Sequence, residues 1–360
     1  MHFKQILVVK ETRENERRVA LTPKAVKQLT QKHYKVLVEH EAGLNAGFTN
    51  DDYIQAGAEL FTLTATGFPS HTFIIRVLRP SKEREAMEYS LFHEHSAMLG
   101  FLFPFVEDDH IATWRSLGLT TLSFDLFKSI SNDDNKNAQA AMSRIAGRLG
   151  LHDALKHYQG KHPIKLAVIG AGAAGLSSAY EAIKHNISVQ VFGRKESLRN
   201  ELEAAGIAYF VLPESIEEQQ SYIRNYLPEN NIIITAARIP GKKAPLLIDK
   251  EGLKILAPKT VVLDFAISNG GNVFGSKHDQ VISIENEVLL LNVSGYPKRA
   301  PRESSETYAQ CVVHLLTEIM SPEGELSFKN KWVQEVWVTH QNKRHEALYN
   351  TFENTKPSSL

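Results

Sequence analysis

The sequence predicts an α/β fold of two domains, each a parallel sheet with helices on its faces, and three observations predict it. The 360 residues exceed the roughly 100–200 that one core organises. Short apolar runs alternate with helical segments along the chain, the pattern of parallel strands joined by helical crossovers. Residues 165–176 read KLAVIGAGAAGL, an apolar strand running into Gly170, Gly172 and Gly175 and then into an Ala- and Ser-rich helix. At a strand-to-helix turn, this Gly-x-Gly-x-x-Gly spacing is a dinucleotide site in physical terms. The first glycine makes the tight turn, the second lets backbone approach a pyrophosphate, and the third lets helix and strand pack closely. The helix N-terminus then faces the phosphate charge. A turn that serves packing alone can carry the same spacing; the flanking strand and helix favour the doubly wound, Rossmann-like reading.

Composition removes several function classes. Basic and acidic residues balance at 41 each, which leaves no net field for nucleic acid or an anionic membrane. No apolar run approaches the roughly 18–20 residues of a membrane span. The N-terminus, MHFKQILVVKETRE, meets charges too soon for a signal peptide. The single cysteine, Cys311, excludes an intrachain disulfide and suits a reducing cytoplasm. It lies on a helix-periodic apolar stripe and reads as core. The 15 histidines come without HExxH or CxxC spacing, so no metal site is expected.

In chain order, residues 6–9 read as a strand, and Thr22 caps a helix whose first position is Pro23, where a missing N–H does no harm. Residues 36–39, 73–78, 98–103 and 120–124 read as further strands, with a loop and a short helix within 43–60. This first domain has no glycine fingerprint. Residues 128–137, KSISNDDNKN, are polar and turn-forming. Ala138, Ala141, Met142, Ile145 and Leu149 then recur at helical spacing as a connecting helix. Past the fingerprint, strands are expected at 188–192, 208–212, 231–235, 260–265 and 288–293, and a helix around 197–205. Ser304 or Ser305 caps a long helix with Tyr308, Val312, Leu315, Leu316 and Ile319 on one face. That helix carries the chain back to the first domain, where 332–338 packs, and the polar tail from Asn350 frays. The expected division is 1–137 plus 321–360 for the first domain and 138–320 for the nucleotide domain.

A second signal concerns the cofactor. In an NAD site an acid about 20 residues past the fingerprint ends the second strand and binds the adenine ribose. Here that strand ends Phe192, Gly193, Arg194, Lys195. A carboxylate would repel a 2′-phosphate, whereas Gly193 makes room for one and Arg194 and Lys195 can pair with it. This favours NADP(H) over NAD(H). The alternative is a pair of solvated residues at a helix start, the end of the dipole that disfavours cations.

Several segments together resemble one family. VVKETRENERRVALTPKAV, VIGAGAAG, IIITAARIPGKKAPLLI and VVLDFAISNGGNV resemble the alanine dehydrogenase and pyridine nucleotide transhydrogenase α-subunit superfamily. NVSGYPKRAPRESSETYAQCVVHLL followed by WVTH is most similar to the nucleotide-binding part of the transhydrogenase α subunit. The resemblance covers nearly the whole chain. It implies two α/β domains separated by a cleft, the first completed by the C-terminus, and a homodimer. Alanine dehydrogenases use a lysine, a histidine and an aspartate, and the matching positions hold Leu78, Phe103 and Ser268. Leucine and phenylalanine neither transfer a proton nor polarise a carbonyl. Arg18 survives in NERRVALTP; its equivalent grips the substrate carboxylate in alanine dehydrogenases, yet transhydrogenases keep it too, so substrate binding and a structural role both stay open. The transhydrogenase loop with an arginine, a glutamine and an aspartate near the nicotinamide matches 128–137, where the positions fall near Ser129, Asp134 and Asn137, with Lys128 one residue from the arginine's place. AAMSRIAGR is more similar to alanine dehydrogenase, in which the serine, Ser143 here, sits beside the cofactor.

Three functions are compatible with the resemblance. The first is a transhydrogenase α-like subunit that moves hydride between NAD(P)(H) molecules, cytoplasmic and peripheral to the inner membrane through membrane-embedded partner subunits. The second is a soluble NADPH-dependent dehydrogenase of the amino-acid or opine type, some of which carry a basic pair like Arg194 and Lys195. The third is a catalytically silent nucleotide-binding subunit. NADP or NAD is expected on Gly170, Gly172, Ala173, Ala174 and Gly175, with Gly193, Arg194 and Lys195 at a 2′-phosphate. Ser143, Thr235, Ala236, Ala237, Ser268 and Asn269 are expected on the nicotinamide side. The catalytic candidates are Arg18, Lys128, Asp134 and Ser268. Asp264 reads as structural, and Asp133 and Asp134 as a solvated loop or as neighbours of the reacting ring.

Overall fold

The computed structural model describes residues 1–93, 95–106, 109–127, 135–160, 163–239 and 242–348. They fall into two compact units, one drawn from Met1–Met142 and Ala300–Leu360 and the other from Ser143–Arg299. Among the described residues no helix is long and apolar enough to cross a membrane.

The first unit opens with β1 (Gln5–Val8), α1 (Pro23–Thr30), β2 (Val36–Glu39), α2 (Asn50–Gln55), β3 (Glu59–Phe61), β4 (Thr72–Leu78), α3 (Lys82–Tyr89), β5 (Ala97–Phe101), α4 (His110–Ser116) and β6 (Thr120–Ser123). Thr22 Oγ1 accepts from Ala25 N and Pro23 takes the first helical position, as the sequence predicts. Thr49 and Asp52 exchange side-chain and backbone bonds in a capping box that starts α2. Every residue of β4 is buried, Arg76 included. That guanidinium donates to Glu88 Oε2 (2.8 Å), Glu88 Oε1 accepts from Arg84 Nε (2.7 Å), and Arg84 reaches Glu39 (3.0 Å). The chain of charges joins β4, α3 and β2. Removing one member would leave a buried charge unpaired, which costs far more than the pair contributes. β1 runs beside β4 only as far as Ile75, and the ladder to β5 shifts register between Ile75 and Leu78. The N–H groups of Val77 and Leu78 are bound instead by the Glu11 carboxylate, at 2.5 and 3.2 Å. Burial, and then the nearby Glu16, push the Glu11 carboxyl up to about 7.

α5 (Ala138–His157) leads into the second unit, which contains β7 (Lys165–Ile169), α6 (Ala173–Lys184), β8 (Ser188–Gly193), α7 (Arg199–Ala204), β9 (Ala208–Val211), α8 (Ile216–Arg224), β10 (Ile232–Thr235), α9 (Lys250–Lys254), β11 (Val261–Asp264), β12 (Gln280–Ile284), β13 (Val288–Asn292) and α10 (Tyr296–Arg299). The sheet order is β12-β13-β11-β10-β7-β8-β9, with β12 antiparallel at the edge and the rest parallel. Without β12, this is the order 3-2-1-4-5-6 of a dinucleotide-binding sheet. Both faces are apolar. Leu166, Val168, Ile232 and Ile234 enter one core with Ala179 and Ala182 of α6, while Ala167, Ile169 and Ile233 enter the other with Ile223 of α8. That two-sided burial explains the unbroken apolar runs seen in the sequence. α5 crosses α6 at Gly147, where a Cβ would lie 2.1 Å from Ala174 O. Ser178 Oγ donates to Gly147 O at 2.8 Å across the same contact.

α11 (Pro301–Ile319), α12 (Lys331–Val336), β14 (Trp337–His340) and β15 (Lys343–Arg344) complete the first unit. Its sheet order is β15-β14-β6-β5-β4-β1-β2-β3, again doubly wound, with β14 and β15 antiparallel. Two expectations need correction. α11 starts at Pro301 rather than at a serine cap, and Ser304 and Ser305 are buried inside it. Ser305 Oγ donates to Pro301 O and accepts from Val19 N (2.9 Å), a bond that also groups α11 with the first unit and not with 138–320. Tyr308 on α11 donates to Arg76 O in that unit too. Cys311 is buried, as its stripe predicts.

Two consequences are measurable. Gly147→Ala adds about 1 kcal/mol of helix propensity, but its Cβ meets backbone that has no room to move, so overpacking dominates. The expected outcome is a net loss on the order of 2 kcal/mol in chemical denaturation. For Glu11, a folded-state pKa above the ordinary carboxyl value means that the folded chain holds the proton more tightly than the unfolded chain. Its contribution is therefore most favourable at low pH and is lost as pH rises from about 4.5 to about 7. Over that window Glu11→Gln should gain on the wild type by on the order of 2–3 kcal/mol, with no further change above it. A pH-independent difference would refute this.

Candidate functional site

The strand-to-helix turn after β7 is fixed by contact distances. Gly170 has φ +116°, a left-handed conformation that side chains disfavour. A Cβ there would also lie 2.7 Å from Ala236 C and 2.8 Å from Ala237 N. At Gly175 a Cβ would sit 2.0 Å from Gly170 O, so α6 rests directly on the turn. Gly172 differs: it is the N-cap of α6, no side chain caps the helix there, and a Cβ would meet nothing within 4 Å. The first-turn amides at Ala173, Ala174 and Gly175 have no partner within a helix, and no acid stands in that turn. Open space, uncapped N–H groups and the positive end of the dipole together fit a phosphate-bearing group. Ser143 lies one turn before Gly147 on α5, next to Arg144, whose carbonyl accepts from Ser177 Oγ of α6 (2.7 Å).

The C-terminal ends of β10 and β11 are tied together by Asp264. Its buried carboxylate accepts from Thr235 Oγ1 (3.0 Å), Ala266 N (2.8 Å) and Asn272 N (2.8 Å). Burial raises its pKa, against the pull of those donors. The Asn272 side chain in turn bonds both the N–H and the C=O of Ala237. Thr235 is thus buried in a network, while Ala236 and Ala237 border the Gly170 turn. Ser268 and Asn269 are exposed in the single turn Ile267–Asn269. Ser268 Oγ lies 3.3 Å from His278 Nε2, and His278 Nδ1 lies 3.1 Å from Asp279 Oδ2. Burial works against the Asp279 charge, but Ser294 N and Oγ, with His278, hold its carboxyl below the usual range. Sequence reasoning missed His278 and Asp279. Their only signal was a histidine ten residues past Ser268, which acquires meaning only through the chain's return.

At the end of β8 the lack of a side chain at Gly193 has a packing reason that the sequence does not reveal. A Cβ at 193 would lie 2.6 Å from Tyr209 Oη and 2.7 Å from Ala171 Cβ. The missing side chain serves packing, and Tyr209 Oη donates to Lys195 O (2.9 Å) across the same spot. Arg194 and Lys195 are exposed, with Arg194 paired to Glu214 at 3.0 Å. A solvent-exposed pair of this kind is weak and readily exchanged.

In the first unit, Arg18 grips Glu16 with Nε and Nη2, each at 2.7 Å, and both residues are buried. Burial opposes the Arg18 charge, but the Glu16 bonds raise its pKa. Leu78 is buried and its N–H is held by Glu11. Phe103 has φ +55°, its N–H donates to Asp125 Oδ2 (3.0 Å), and the Arg13 guanidinium lies 4.9 Å over its ring. Lys128, Ser129, Asp133 and Asp134 lie outside the described residues.

Comparison with known proteins agrees with this architecture. Residues 138–346 match the family model described as alanine dehydrogenase/PNT, C-terminal domain, and residues 7–146 match its N-terminal domain. An NAD(P) transhydrogenase subunit alpha polypeptide of Rickettsia prowazekii is 25% identical, over 94% of this chain and 95% of its own. NAD(P) transhydrogenase subunit alpha of Haemophilus influenzae is 28% identical over 86% of this chain, which spans 65% of that longer protein. The crystal structure of a transhydrogenase from Sinorhizobium meliloti is similar with a TM-score of 0.82 at 25% identity, covering 95% of this chain and 99% of that one. With two sheets of this order, the fingerprint turn and family matches that together run from residue 7 to residue 346, the chain belongs to the alanine dehydrogenase/PNT family.

Proposed function

We propose that this chain binds a nicotinamide dinucleotide on the β7–α6 turn and serves hydride transfer between nicotinamide nucleotides, as a subunit of the transhydrogenase α type. The observation that carries this reading is the uncapped α6 N-terminus at Gly172, where a side chain would meet only open space. Gly172, Ala173, Ala174 and Gly175 would hold the pyrophosphate, with Gly170 fixing the turn. Ala236, Ala237, Ser268, Asn269 and Ser143 would border the nicotinamide side by the rule that ligands sit outside the carboxyl ends of strands at the switch point, with the buried Thr235 holding that strand end from beneath through Asp264. When bound, the nicotinamide supplies or accepts the hydride. The chain's residues then have to bind, orient and keep out water, and a direct exchange between two nicotinamides asks them for no acid or base. Leucine at 78 and phenylalanine at 103 agree with that. In this reading the chain is a cytoplasmic homodimer working against membrane-embedded partner subunits.

A second reading, a soluble NADPH-dependent dehydrogenase of the amino-acid or opine type, is favoured by Ser268, His278 and Asp279. An imidazole between a hydroxyl and a carboxylate is an arrangement for proton transfer, and Arg194 and Lys195 would pair with a 2′-phosphate.

Calorimetric titration with NADH and NADPH at low and high salt separates the two. The transhydrogenase reading expects NADH to bind at least as tightly as NADPH. Tighter NADPH binding that salt erodes, and that Arg194→Ala with Lys195→Ala abolishes, moves the assignment to the second reading; no binding of either overturns both. Gly172→Asp tests the turn itself. Aspartate is a good N-cap and has room there, so the fold should persist, while its charge should weaken nucleotide binding by on the order of 100-fold or more.

A further inference from the structure

We propose that His152, Glu181 and His185 form a binding site for a divalent transition-metal ion of the zinc class on the second unit. His152 comes from α5; Glu181 is on α6 and His185 caps its C-terminal end. The i, i+4 spacing puts Glu181 and His185 on one helix face. Glu181 Oε1 lies 3.0 Å from His152 Nε2 and 3.6 Å from His185 Nε2, and one donor atom from each residue lies within 4.8 Å of the others. The two imidazoles meet edge to face at 83°, so both aim a nitrogen at the same carboxylate oxygen instead of stacking.

A tetrahedral zinc with ligands near 2.0–2.1 Å needs donors about 3.4 Å apart. The largest gap must therefore close by about 1.4 Å, within reach of small χ adjustments by two partly exposed imidazoles. The helices beneath do not need to move, because Gly147 and Ala174 already hold α5 and α6 in backbone contact. Lys184 Nζ occupies the other oxygen, Oε2, at 3.0 Å; it is 71% exposed and free to swing into solvent. Two imidazoles and one carboxylate suit zinc, nickel or copper better than calcium or magnesium. Three protein ligands leave a coordination position open. The expectation of no metal site rested on linear spacing, whereas this set is assembled across two helices. Glu181 stands eight residues, about 12 Å, along α6 from Ala173, so the proposal is independent of the nucleotide reading.

The test is titration of the untagged, chelator-stripped full chain with zinc chloride at neutral pH, by calorimetry and by thermal unfolding. The wild type should bind one zinc per chain and unfold at a higher temperature with zinc present, since the ion binds the folded state. His152→Ala and His185→Ala should each weaken binding by at least the roughly 10–100-fold that loss of an outer-shell partner costs. The double variant should lose the zinc-induced shift while unfolding normally without zinc. Acidification should release the ion, because coordination needs neutral imidazole. No zinc uptake by the wild type, or equal uptake by the double variant, would overturn the proposal.

Discussion

Three stretches of backbone meet at the end of β7 with no room for a side chain between them. Gly170 touches the chain leaving β10, Gly175 touches Gly170, and one helix further out Gly147 touches Ala174. These contacts set α6 directly on the sheet and α5 directly on α6. Alanines stand at these contacts: Ala236 and Ala237 face Gly170, and Ala174 faces Gly147, where larger neighbours would push the layers apart. Of the three fingerprint glycines, Gly172 alone is spared the crowding, and a Cβ there would meet nothing within 4 Å.

The same sheet order builds two different crests. In the second unit the turn after the first strand ends in small, uncharged residues and opens a helix that no side chain caps. In the first unit the chain leaving β1 carries Glu11, Arg13, Glu16 and Arg18, and the carboxylates of Glu11 and Glu16 are consumed internally. Glu11 binds the amides of Val77 and Leu78, and Glu16 binds Arg18. Where one unit offers donors to an anion, the other supplies the anion from its own chain. This inner carboxylate comes with a desolvation penalty, visible in the raised Glu11 pKa.

Much of this was legible in the sequence, for reasons that differ by element. β7, β10 and β11 are buried on both faces and therefore read as unbroken apolar runs. β3 has three residues, and β12 is a largely exposed edge, so neither carried a pattern. The cap at Ser304 or Ser305 failed because a serine prefers any good acceptor or donor, and Ser305 found Val19 across 286 positions. The packing of Gly193 against Tyr209 was not legible, because spacing along one strand says nothing of the side chains on the next. His278 beside Ser268, and His152 beside Glu181, are likewise products of tertiary return. Linear motifs reported the turn; they could not report what folds back onto it.

The split of the first unit into two chain segments has a consequence for how the protein is made. β14 pairs with β6, and Thr339 Oγ1 donates to Leu119 O across 220 positions. During synthesis β6 must wait as an open edge, its ladder groups unpaired, until residues 337–340 emerge. Residues 143–299 form a unit of their own in the meantime, and closing a long loop costs only slightly more than closing a shorter one. Entropy is then the lesser hazard of the delay. The greater one is that another chain's strand reaches the β6 edge first, so the nascent protein is most vulnerable to aggregation in the interval before β14 arrives.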